Sequence, residues 1–351
     1  MEQKRGHRRC KGTYRAASRV RCLETWSEDS GASTYGWQTR GLEARSGFEP
    51  LNKGFADLCL TTWLPRHDLQ TAYHGVMPSP RWILAALAVI AATATLAAPG
   101  KTLRLNLRTR VELFKGSNDW RETWLPETLP AAATALILCD VWDKHWCQGA
   151  TERVGVLVKK MAPVVDLARK NGVLIIHAPS DTMTYYRDAP QRLNMLAIPP
   201  VAPPVPLALS DPPLPIDDKD VGCDTPNNPL PVNYRAWTRQ HEAIPIGPPD
   251  LISDDGKEVY SALRLHGIKT LLIAGVHTNM CILGRSFTIR QMTKWGVRCV
   301  LIRDLTDSMY NPARRPFVPH DQGTQLVIEH IEKYWAPTVT SEELVKALKE
   351  N

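Results

Sequence analysis

Thr270–Trp295, TLLIAGVHTNMCILGRSFTIRQMTKW, is the stretch that most restricts what this chain can fold into. Thr270–Ala274 is a short apolar run of the kind shown by a strand buried on both faces, the usual situation in a parallel sheet. Gly275 breaks the run, and the chain turns through Val-His-Thr-Asn-Met to Cys281. Apolar residues at 282, 287, 289 and 292 then predict a helix over 282–295, which Gly296 ends. A cysteine between a strand end and a helix start meets unpaired amide N–H groups and the positive end of the helix dipole. These favour thiolate over thiol and can hold an oxyanion. The bland alternative is an inert, buried structural cysteine. The strand-to-helix position and the residues upstream favour the reactive reading.

The preceding chain repeats the strand–helix alternation. Thr102–Phe114 alternates well enough for an edge strand or hairpin. Thr134–Cys139 reads as a buried strand ending at Asp140, Gly155–Asn171 as a helix, and Val173–Ile176 as a second strand ending at His177. Ile198–Pro249 is Pro-rich and too long for a simple connection, so it is expected to be an ordered insertion that covers the substrate or wraps the surface. Ser253 or Asp254 can cap a helix running to His266. A strand over Val297–Ile302 and a helix over Ser341–Lys349 complete the series. The expected fold is α/β, three-layered, with a mostly parallel sheet and helices on both faces.

Composition excludes several functions. Of 43 Lys+Arg and 36 Asp+Glu, residues 1–76 hold 12 and 8, so the remainder is only mildly basic. It shows no Lys/Arg block with interleaved aromatics, and nucleic acid is not an expected partner. No GxGxxG follows a strand, which disfavours a dinucleotide. The eight cysteines form no CxxC pair, so neither a zinc ribbon nor a thioredoxin-like site is expected.

Residues 1–76 show no sustained period and do not read as a domain; they are expected to be a non-native or disordered extension. Met77-Pro-Ser-Pro-Arg81 and the apolar run 82–98 before Pro99-Gly100 read as a secretory signal peptide. The run is a little short for a membrane span, and a signal-anchor helix is the alternative. The domain over 99–351 is therefore expected outside the cytoplasmic membrane, periplasmic or extracellular, with no stable span after cleavage. Five cysteines lie beyond residue 98, an odd number that leaves at least one thiol free or intermolecular.

Ligands of such sheets sit beyond the carboxyl ends of strands where strand order reverses. Asp140 and Cys281 each stand at such an end, as a general base and a nucleophile would. This pairing, with DVW at 140–142 and GVHTNMC at 275–281, resembles the isochorismatase-like cysteine hydrolases, a group that includes nicotinamidases and N-carbamoylsarcosine amidases. The resemblance covers about residues 130–312. It is closest to a bacterial branch with CDxWDKHWC, HAPSDTM, TRQH and GVHTNMCILGR, found here at 139–147, 177–183, 238–241 and 275–285.

The resemblance implies Cys281 as nucleophile and Asp140 as acid/base. It also implies a cis Val276–His277 bond that aims the backbone N–H groups of His277 and Cys281 at an oxyanion. The reaction implied is thiolate attack on an amide or carbamoyl carbon, a thioester-type intermediate and hydrolysis. The family's Lys is absent: Thr238 stands where it is expected, with Arg239 beside it as the candidate substitute. Lys144 is a second candidate, set against an ordinary solvent-facing lysine. Trp142, His177, His241 and Asn279 are the candidate substrate-binding residues, set against packing for the tryptophan and turn-fixing for Asn279.

Some relatives bind zinc. Asp143, His145, Cys147 and His177 are suitable ligand types, but their spacing matches no closed zinc pattern, so neither metal nor cofactor is expected. Expected partners are a small-molecule substrate and, in a homo-oligomer, further copies of the chain. The leading reading is an exported cysteine hydrolase of a small C–N or related bond. The alternatives are a small-molecule-binding protein that lost turnover with its Lys, and a metal-binding protein.

Overall fold

The computed structural model describes residues 100–350, so the expectations for 1–76 and for the signal segment at 77–98 fall outside the described residues. Thr102–Glu112 (β1) and Trp120–Pro130 (β2) pair as an antiparallel hairpin. β2 is mostly exposed and carries Pro126 and Pro130. An edge strand tolerates both, and its polar composition hid it in the sequence. The chain continues through Thr134–Cys139 (β3), Gln148–Lys170 (α1) and Leu174–Ala178 (β4). Two short helices follow, Met183–Tyr186 (α2) and Pro190–Leu196 (α3). After the insertion come Leu251–Ile252 (β5), Gly256–Leu265 (α4) and Thr270–Val276 (β6).

Two findings here differ from the sequence reading. The cap of α4 is Asp255, whose carboxylate accepts from the N–H groups of Lys257 and Glu258. The helix expected over 282–295 is broken into Cys281–Gly284 (α5) and Ile289–Lys294 (α6). Arg298–Asp307 (β7), His320–Tyr334 (α7), Thr338–Val339 (β8) and Ser341–Lys349 (α8) close the domain.

The eight strands form one sheet in the order β2-β1-β8-β7-β6-β3-β4-β5. Pairs from β8 to β5 are parallel, and β1 is antiparallel to both its neighbours. Side chains alternate between the faces of a strand, and the core divides accordingly. Leu136, Leu138, Leu272, Ala274, Val300 and Ile302 pack with α1 and α8. Ala135, Ile137, Leu271, Ile273 and Leu301 pack with α4, α6 and α7. This is the expected α/β fold, with helices on both faces of a mostly parallel sheet. From β3 the order runs outward to β4 and β5 on one side and to β6, β7 and β8 on the other. The carboxyl ends of β3 and β6 therefore flank the switch point.

The insertion between α3 and β5 contains no helix or strand, yet it is tied to the domain at both ends. Where it re-enters the sheet, Asp250 is completely buried. Its carboxylate accepts from Arg169 Nε at 2.9 Å and Nη2 at 2.7 Å, and meets His177 Nε2 at 2.9 Å. His177 Nδ1 contacts Gln240 Oε1 at 2.8 Å, so both ring nitrogens are used and the ring is fully buried. Burial alone would raise the Asp250 pKa, but the bonds from His177 and Arg169 outweigh it and hold it at about 2.

Removing one partner of such a group leaves the others buried and unpaired. Asp250→Asn is expected to lose about 3–5 kcal/mol in denaturant unfolding. Because the folded pKa is depressed, the ionised carboxylate stabilises the fold above pH about 4. That contribution, on the order of 2 kcal/mol, is lost as pH falls toward 2. The variant should lack this acid-dependent step; equal acid sensitivity in both proteins would contradict the assignment.

Candidate active site

The site is built where β3 and β6 run side by side with Cys139 opposite Gly275. At Gly275, φ is +121°, and a Cβ would lie 2.0 Å from the Cys139 carbonyl oxygen. Only glycine permits this approach, which brings the two strand ends together. Just past β3, Asp140 has φ +50°, a left-handed conformation that Asp tolerates at modest cost. Its amide donates to Ala178 O at 3.0 Å, and its side chain is completely buried. Oδ1 accepts from the Ser180 N–H at 2.8 Å, and Oδ2 from Arg285 Nε at 2.9 Å. Cys281 lies close enough to the same carboxylate and to the His277 backbone N–H for each to act on its titration. The Val276–His277 bond is cis.

Arg285 reaches Asp140 because the helix stops. Thr288 Oγ1 donates to the carbonyls of Cys281 at 2.8 Å and Arg285 at 3.0 Å, offering the chain an alternative to the next helical bonds. Arg285 is consequently extended (φ −67°, ψ 149°), and its side chain runs to the floor of the site instead of out along a helix. Asp181 lies 3.6 Å from its Nη2.

Above the sulfur is a cavity of about 160 Å³, walled by Trp142, Trp146, Trp237, His145 and His277 with Val221, Asn233, Met280 and Met309. Trp142 and Trp237 stack at 4.4 Å with 14° between planes. His145 stacks on Trp237 at 5.8 Å and meets the His277 ring edge-on at 5.0 Å. Burial, with Arg153 adding to it, holds His145 at about 4. Burial, with His145 adding to it, holds His277 at about 3. Both imidazoles are neutral at physiological pH. His277 Nε2 and Trp237 Nε1 are buried without a hydrogen-bond partner among the described residues, which is costly unless a ligand meets them.

The electrostatics reverse one expectation. A one-turn helix has little dipole, and burial pushes the Cys281 thiol well above its ordinary range, with the Asp140 charge adding to the rise. Burial also raises Asp140, while Arg285 and the bonds from Cys281 and Ser180 pull it back. Burial and the neighbouring charge thus favour the thiol form of Cys281, while Arg285 favours the charged form of Asp140. A thiol, a base within hydrogen-bond reach and a fixed cation suffice for nucleophilic attack in which the proton moves to the base as the bond forms.

The other sequence candidates have different surroundings. Trp142 lines the cavity, its Nε1 donating to Ser180 O. His177 lies in the buried Asp250 network and does not line the cavity. Asn279 fixes a turn: Nδ2 donates to Asp218 and Met309 O, and Oδ1 accepts from Met309 N–H. Arg239, His241 and the exposed Lys144 line a separate outer depression with Asp143. The Arg239 side chain is partly exposed and contacts Tyr185 Oη at 3.2 Å and Glu242 at 3.7 Å. Arg285, which the sequence reading passed over, is the one charged side chain lining the cavity among the described residues.

The suggested metal ligands do not converge. Cys147 is disulfide-bonded to Cys223, Asp143 is bonded to Thr238, and His177 is bonded at both nitrogens. Among the described residues no group of three His, Cys, Asp or Glu is placed to hold a metal ion.

The fold thus presents a thiol and a carboxylate at adjacent strand ends beside the switch point. The family model described as Isochorismatase domain matches residues 255–343, a span that runs from α4 to α8 and includes Cys281 and Arg285. No curated protein matches. Among solved structures, the chain is similar to a cysteine hydrolase from Pseudomonas syringae pv. phaseolicola at 15% identity and TM-score 0.40, covering 63% of this chain and 94% of that one. It is also similar to N-carbamoylsarcosine amidase from Thermoplasma acidophilum at 13% and TM-score 0.31, covering 60% and 97%. An octameric hydrolase of unknown specificity from Escherichia coli matches at 14% and TM-score 0.33, covering 63% and 81%.

The charge arrangement makes a distinctive prediction. Asp140→Asn removes the negative charge that disfavours the thiolate but leaves Arg285 in place. Iodoacetamide should therefore alkylate Cys281 faster in this variant than in the parent at equal pH, with the parent rate still climbing above pH about 8.5. Slower alkylation in the variant would contradict it.

Proposed function

We propose that this protein is a cysteine hydrolase that cleaves a C–N bond, amide or carbamoyl, in a compact substrate held in the tryptophan-walled cavity. The observation that carries the reading is the convergence of the buried Asp140 on Cys281 and Arg285, both of which line the cavity. Asp140 takes the Cys281 proton as the sulfur attacks the carbonyl carbon. The resulting oxyanion faces the backbone N–H groups of His277 and Cys281. Collapse breaks the C–N bond, and Asp140 returns the proton to the departing nitrogen. A thioester remains. Water then attacks it, losing a proton to Asp140, and the acid product leaves as the proton returns to sulfur.

Arg285, in place of Arg239, takes the part of the missing lysine. With Arg285 charged, the group of three has zero net charge whether the proton sits on sulfur or on carboxylate. Proton transfer therefore leaves the desolvation cost of the group's net charge unchanged. An exported protein is also supported, since disulfides persist in oxidising compartments and Cys147–Cys223 is one. Among the described residues no helix is long and apolar enough to cross a membrane.

The test is to screen the full chain for ammonia or amine release from a panel of small amides and carbamoyl compounds. Turnover should vanish in Cys281→Ser. It should fall by about a hundredfold or more in Asp140→Asn and in Arg285→Met, the usual scale for losing an acid–base or electrostatic partner. Arg239→Ala should leave kinetics unchanged. Normal turnover in Cys281→Ser would refute the reading. Ligand binding across the panel with no product and no covalent intermediate would establish the binding-protein alternative.

A further inference from the structure

We propose that the Cys147–Cys223 disulfide latches one wall of the Cys281 cavity, so that the cavity mouth is held narrow in the oxidised protein and widened by two-electron reduction. The bond joins residues 76 apart in sequence, with a Cα–Cα distance of 5.7 Å. Both of its ends are continuous with cavity wall. Cys147 directly follows Trp146, and Cys223 follows Val221-Gly222 of the insertion. Gly222, at φ +70°, lies so close to the backbone of Met309, another wall residue, that a Cβ would fall 2.2 Å from its carbonyl oxygen.

The disulfide also organises the first turn of α1. Cys147 starts this helix without a side-chain cap, and the insertion supplies the missing acceptors. Gly149 N–H donates to Thr225 Oγ1 at 2.8 Å, and Gln148 N–H to Asn228 Oδ1 at 2.9 Å. Asn228 Nδ2 returns a bond to Trp146 O at 2.7 Å. From 229 to 235 the chain is largely exposed, although Asn233 and then Trp237 form cavity wall. The next ties are the bonds from Thr238 N–H and Oγ1 to the Asp143 carboxylate and the bridge between Trp142 and Gln240. The strap is thus fixed at its start by one covalent bond, the neighbouring Arg153–Asp224 ion pair at 2.8 Å and a few hydrogen bonds, and it walls one side of the cavity through which substrate reaches the sulfur.

The chemistry balances with a dithiol as reductant. Its thiolate attacks the half-buried Cys223 sulfur, breaking the S–S bond and expelling Cys147 as a thiolate that takes a proton. The reductant's second thiol resolves the mixed disulfide, leaving two protein thiols and one oxidised cyclic reductant.

The experiment uses iodoacetamide and peptide mass spectrometry on the full native chain at about pH 8.5, the ordinary thiol pKa, before and after dithiothreitol treatment and removal. Cys139 and Cys299 are free thiols buried in the sheet core and report global unfolding. Reduction is expected to speed Cys281 labelling by about tenfold or more, as local opening without global unfolding does, while Cys139 and Cys299 stay protected. The Cys147→Ser/Cys223→Ser double variant should match the reduced protein; if it does not fold, the reduced parent still decides. Unchanged Cys281 labelling on reduction, a parallel rise at Cys139 and Cys299, or free thiols at 147 and 223 in the unreduced protein would each overturn the latch. The latch shares with the proposed function only the placement of Cys281 beneath this cavity. An inactive protein whose Cys281 is still unmasked by reduction would refute the hydrolase and keep the latch.

Discussion

The ion pair between Asp140 and Arg285 is the interaction on which the rest of the site depends. A carboxylate with no solvent exposure would ordinarily take up a proton and cease to be a base. The guanidinium 2.9 Å away, with the Ser180 amide, keeps it chargeable beside a thiol that burial and the same carboxylate keep protonated. One proton shared between sulfur and oxygen, with a fixed cation next to both, is a poised state and not an activated one. The thiolate appears only when substrate gives the negative charge somewhere to go.

That pair exists because of backbone features far from any side-chain chemistry. Gly275 lets β6 close on β3, so Asp140 and the Cys281 turn face one another. Thr288 ends the helix after one turn, and the cation swings inward. The two histidines of the cavity cannot take its place, since burial keeps both neutral far below pH 7. What they and the three tryptophans contribute is a dry wall, which strengthens every charge interaction beneath it.

Much of this was legible in the sequence, for identifiable reasons. Buried parallel strands are short apolar runs, so β3, β4, β6 and β7 showed themselves, and the residues after β3 and β6 were marked as the place for chemistry. Asp140 and Cys281 stood out there. Arg285 did not, because arginine four residues into an apolar helical pattern reads as the solvent face of a helix. The break is set by a Thr288 side chain, which periodicity does not register. The disulfide closes over 76 residues and has no spacing signature. His177 ended a strand as the site residues do, but its ring is committed to Asp250, a partner from the far end of the insertion. The tie between β5 and the sheet was equally hidden, since two residues of strand have no period.

The location of the shared proton is the account's central claim, and infrared spectroscopy reads it directly. The S–H stretching band assigned to Cys281, as the one lost in Cys281→Ser while those of Cys139 and Cys299 persist, should be present in the resting protein at neutral pH. A parent spectrum at neutral pH without a Cys281 band would mean the sulfur is already ionised, and the shared-proton account would be wrong.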